Sequence, residues 1–167
     1  MPDTVFGLPI HPLIVHATVV AVPVTALLLG ATLFSPKIRD WAGPLPMILA
    51  LVSTVLAPLS TSSGENLEHM VGESKLVQEH AELGDMLVWW CIGMLVVAAA
   101  SYFLRRNRRE LARGASIAIV AAGVVVSLGT LVQVVLIGHS GAEAAWSGVA
   151  SSSASSGSQS GSDGDDG

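Results

Sequence analysis

The 167-residue chain is 51% hydrophobic and only 13% charged, with a single cysteine and a formal net charge of −5. That balance excludes a nucleic-acid binder, which needs a basic footprint. The lone Cys91 excludes an intrachain disulfide, a thiolate metal cage and a C-x-x-C-H haem attachment.

Four separate apolar stretches each approach the ~20 residues needed to cross roughly 30 Å of hydrocarbon. The pattern predicts an all-α integral-membrane protein, a four-helix up-down bundle with a disordered C-terminal tail. Residues 1–146 form its one membrane domain.

Met1 to Thr4 lack the positive charge of a cleaved signal peptide, so the first apolar segment is expected to stay as a helix. It spans about 12–34. Pro12 suits the first helical turn and leaves His11 at the cap. Pro23 falls mid-helix and should kink it, a break that bundle neighbours tolerate in membranes. Thr18, Thr25 and Thr32 recur every seven residues, as do His16, Pro23 and Gly30. The two sets mark nearly opposite stripes, and either could face the core.

The second helix is expected over 44–60, short, with Pro58 and Ser60 to Ser63 at the far interface. Residues 64–82 then read as an acidic amphipathic segment outside the bilayer. It carries His69 and His80, 11 residues apart and so on one face of a continuous helix. The third helix is expected over 83–104 and the fourth over 115–137, with an arginine cluster between them. The four tryptophans read as interfacial anchors. Gly123, Ser127, Thr130 and Gln133 form a stripe of small and polar residues suited to close packing. The helix ends at Gly138-His139-Ser140-Gly141. From 147 to 167 the Ser/Gly-rich chain with its Asp cluster cannot bury a core.

Of eight Lys and Arg residues, seven fall in 35–43 and 105–114. The positive-inside rule makes those two loops cytoplasmic and puts both termini outside. All five histidines then reach the outer half of the bundle or the space above it. Imidazole is a common ligand of metals and of haem iron, and four-helix bundles build such sites between facing helices. His16 and His80, on diagonal helices, are the expected axial ligands of a b-type haem, with His11 and His139 as a second pair. Asp85 is placed to support a histidine ligand, and Gly138 and Gly141 would let a porphyrin approach the backbone. His69 reads as a surface residue. The same imidazoles could instead hold copper or zinc, or serve only as hydrogen-bonding glue in an accessory protein without a cofactor. A stand-alone enzyme is not expected, since the chain has no nucleophile–base pair, phosphate loop or H-E-x-x-H motif.

The opening Gly7-Leu8-Pro9-Ile10-His11-Pro12-Leu13-Ile14-Val15-His16 resembles the start of a bacterial four-helix membrane family catalogued as domain of unknown function twenty-two thirty-one. Ser63-Gly64, His80 and Gly138-His139-Ser140-Gly141 match its weaker motifs, and the resemblance covers about residues 5–146. It implies a bacterial inner-membrane location. Relatives joined to Rieske or cytochrome domains imply a redox role and favour haem over a bare metal. The electron partner of this chain would be a separate Rieske- or cytochrome-type protein.

Overall fold

The computed structural model describes residues 4–5, 8–71, 75–107 and 112–157, with side chains over 12–64, 75–107, 112–144 and at 146. A two-residue antiparallel pair, β1 (Thr4–Val5) with β2 (Leu8–Pro9), leads into α1 (Ile10–Phe34). The short α2 (Pro36–Ala42) follows, then α3 (Leu45–Val71), α4 (Lys75–Arg106) and α5 (Arg113–Gly157). The four long helices are each apolar and long enough to cross a membrane, over Pro12–Phe34, Leu45–Gly64, Lys75–Arg106 and Arg113–Ala144. They form the expected all-α membrane bundle.

Going round the bundle, α1 packs against α3, α3 against α4, α4 against α5, and α5 back on α1. That leaves α1 and α4 diagonal. Of the two heptad stripes on α1, the threonines face inward: Thr18, Thr25 and Thr32 are all buried. Their hydroxyls bond back to helix carbonyls of Ile14, Ala21 and Leu29, so these buried groups are satisfied within their own helix. Thr25 Oγ1 also lies 3.1 Å from Ser53 Oγ of α3, a polar clasp between two spans. On α5 the stripe of Gly123, Ser127, Thr130 and Gln133 is buried as its spacing predicts. Gln133 Nε2 crosses to donate to the Leu83 carbonyl of α4 at 2.7 Å.

At the waist, Val22, Thr25, Ala50, Ser53, Cys91, Met94 and Thr130 are fully enclosed. Outward positions such as Val20, Leu27, Val55, Val96, Val125 and Val135 stay exposed and apolar, as a lipid-facing surface requires.

Several boundaries differ from the hydropathy reading. The segment over 64–82 is not a separate piece: α3 runs on to Val71 and α4 already begins at Lys75. Thr61, Ser62 and Ser63 bond back to the carbonyls of Pro58, Leu59 and Ser60, which keeps the helix going past Pro58. Lys75 and Glu79 form an i,i+4 pair that supports the first turns of α4. His69 and His80 therefore sit on different helices and share no face. α1 starts two residues before Pro12, so His11 falls inside the helix and not at its cap. α5 continues to Gly157, eleven residues into the stretch read as tail, and 158–167 lie outside the described residues.

The tryptophans also divide. Trp41, Trp89 and Trp146 are largely exposed, as anchors would be. Trp90 instead lays its six-membered ring directly over Gly129 of α5, where the missing side chain makes room for an indole.

Candidate functional site

The bundle has two chemically distinct ends. One carries the N-terminus of α1, the α3–α4 junction and the far part of α5. It gathers the histidines. The other carries α2, the end of α4 and the start of α5, with Lys37, Arg39, Arg105, Arg106 and Arg113 among the described residues.

At the histidine end a cavity of about 470 Å³ opens between α1, α3, α4 and α5. Val15, Val19, Leu87, Val134 and Ile137 make its wall largely apolar. Small residues widen it, since Gly64, Gly84, Gly138 and Gly141 also line it. The polar groups on the wall include His80, Asp85, Thr18, Ser60 and Thr61.

His80 is half-buried on α4, and its Nδ1 lies 3.0 Å from Ser140 Oγ of α5. Ser140 has one hydroxyl proton, and the Ile137 carbonyl also lies within its reach at 3.1 Å. When that proton points to Ile137, His80 donates from Nδ1 and its lone pair is on Nε2; when it points to Nδ1, the roles reverse. The first arrangement is the tautomer of a metal-ligating histidine whose other nitrogen is held by a neighbour. Gly141 brings the α5 backbone against the same ring: a Cβ there would stand 3.0 Å from His80 Cε1 and 3.3 Å from Nδ1.

The other histidines are placed differently. His16 is exposed, and its Nδ1–H donates to the Pro12 carbonyl one turn back on its own helix. Its neighbours Val15, Thr18 and Val19 line the cavity, but its own ring does not. His139 faces away, 74% exposed, with Nε2 3.6 Å from Glu143 Oε1. The side chains of His11 and His69 lie outside the described residues. The structure thus unites His80 with Asp85, Gly138 and Gly141, and it leaves His16 and His139 off the wall. Among the described residues no three His, Cys, Asp or Glu side chains converge as a metal cage.

Residues 7–153 match the model of a family described as predicted membrane protein (DUF2231). The chain belongs to that family. No curated protein and no solved structure matches this DUF2231 member.

The residue that sequence reasoning does not single out is Ser140. A signal for it exists. Steps of three and four along α5 from Gly123 through Ser127, Thr130 and Val134 arrive at Ile137 and Gly141, which brings Ser140 beside the inward stripe and leaves His139 off it.

Proposed function

We propose that this membrane protein is a redox or electron-transfer subunit that holds b-type haem at its histidine end, with His80 as axial ligand. The observation that carries this reading is the His80–Ser140 contact, which holds a half-buried imidazole by its Nδ1 at the edge of an apolar cavity. Haem supplies a one-electron couple, and its flat apolar ring suits walls of Val, Leu, Ile and Gly. The chain contributes the hold on the ligand's Nδ1, the apolar enclosure and the close backbone at Gly141.

His16 is the proposed second ligand. It lies about 60° round α1 from the wall residue Val19, so its ring can turn to the cavity only by giving up the Pro12 carbonyl. The proposed orientation follows the charge bias: basic end in the cytoplasm, histidine end and both termini outside, in a bacterial inner membrane. An external Rieske- or cytochrome-type protein would then exchange electrons at the histidine end.

The test is an absorption spectrum of the full-length protein, purified in mild detergent from haem-replete cells, oxidised and then reduced with dithionite. A Soret peak with sharp reduced α and β bands, lost in His80→Ala and kept in His69→Ala, is the expected result. A colourless protein sinks the haem reading. Elemental analysis of that sample then tells copper or zinc from a protein without a cofactor.

A further inference from the structure

The basic end holds a second cavity, of about 280 Å³, to which all five helices contribute. Leu29, Leu33, Met47 and Ile119 line its apolar part, while Arg39, Arg105, Tyr102 and Ser101 supply polar groups. We propose that it binds the phosphate group of an anionic phospholipid, with an acyl chain lying along the apolar wall.

Three observations converge. The first is the arginine geometry. Arg39 Nε and Nη2 donate to the Thr32 and Leu33 carbonyls at 2.7 and 3.1 Å, which fixes its guanidinium over the end of α1. Arg105 Nη2 meets Asp40 Oδ1 at 2.8 Å. A guanidinium has five N–H donors in a rigid fork suited to phosphate, so both arginines keep donors for a further acceptor. Asp40 offsets part of the Arg105 charge, but Arg39 has no carboxylate partner among the described ion pairs.

The second observation is the Ser101 hydroxyl, which is buried, belongs to a residue lining this cavity and has no hydrogen-bond partner among the described residues. Such a group is costly to leave unmatched, and a phosphate oxygen would accept from it. The third is the setting. Basic pockets between spanning helices are where anionic lipid headgroups bind, and a purely aqueous anion would have no use for the apolar wall.

The experiment is native mass spectrometry of the delipidated full-length protein, titrated with phosphatidylglycerol or phosphatidylcholine of matched acyl chains. Phosphatidylglycerol should occupy one site, preferred about thirtyfold over phosphatidylcholine, as two arginines near the headgroup imply. Arg105→Gln, at a side chain 44% exposed and so tolerant of change, should cut that preference about fivefold. Ser101→Leu, which fills the cavity, should remove the single bound copy. Arg113→Gln, at a residue off the cavity wall, should change neither.

Equal binding of the two lipids overturns the proposal. So does an Arg113→Gln loss as large as that of Arg105→Gln, which would mean diffuse surface charge. Millimolar inorganic phosphate is the remaining arm. If it stabilises lipid-free protein as much as phosphatidylglycerol does, the ligand is a free anion and the lipid assignment fails. Should Ser101→Leu not fold, Arg105→Gln decides alone.

Discussion

His80 of α4 and Ser140 of α5 meet at 3.0 Å, so the orientation of one imidazole depends on how two membrane helices dock. Ser140→Ala removes the hydroxyl that holds His80 by its Nδ1. Loss of such a partner typically costs 10–100-fold in affinity at metal sites. Haem titration of the purified variant should show a loss of about that size, with the helical content by circular dichroism unchanged. Unaltered affinity would mean that the contact plays no part in ligation.

Two glycines on the same wall should behave differently. A Cβ at Gly141 would press on His80 Cε1 at 3.0 Å, whereas one at Gly138 would meet nothing within 4 Å. Gly141→Ala should shift the reduced α band and lower haem occupancy. Gly138→Ala should leave both as they are. The comparison is made on matched spectra, and identical effects at the two positions would contradict the placement of the ring.

Stability should hinge on the seat of Trp90. Any side chain at Gly129 collides with its six-membered ring, so Gly129→Ala forces the indole or the helix to move. Overpacking of this kind costs about 1–3 kcal/mol. Thermal unfolding in detergent should show a clear drop for Gly129→Ala, and a Gly129→Ala, Trp90→Leu double variant should recover part of it.

The buried Thr25–Ser53 pair is small in energy but measurable. Hydrogen bonds between membrane helices average about 0.6 kcal/mol in double-mutant cycles. A cycle of Thr25→Val and Ser53→Ala should return a coupling near that value. A coupling of zero would mean that each hydroxyl is satisfied within its own helix, as Thr25 partly is through Ala21.

Much of the fold is legible in the sequence because a membrane imposes a coarse rule that hydropathy captures. The four spans, the inward threonines of α1 as one of two candidate stripes, and the α5 stripe all follow from apolar length and helical spacing. What hydropathy does not report is where a helix ends once it leaves hydrocarbon. Polar residues such as Ser62 and Ser63 can continue a helix by bonding to their own backbone, and so α3 outruns its apolar window. The site is legible by residue type but not by direction. Nothing in the heptads of α1 says whether the Thr18 or the His16 stripe turns inward, and packing decided for threonine. The Ser140 partnership needs two helices 60 residues apart to be docked before it exists. Trp90 and Trp89 are indistinguishable in composition, and only the gap at Gly129 separates their roles.

The enclosed waist around Thr25, Ser53, Cys91 and Met94 has a consequence for traffic. These buried, mostly uncharged side chains lie between the two cavities. In a polarised membrane most of the voltage would drop across that layer. A redox centre beside His80 would therefore stay at the electrical potential of the water on its own side, loading and unloading through one face. If the proposed haem sits there, the subunit would relay electrons laterally along one surface of the membrane and leave the opposite surface electrically uninvolved.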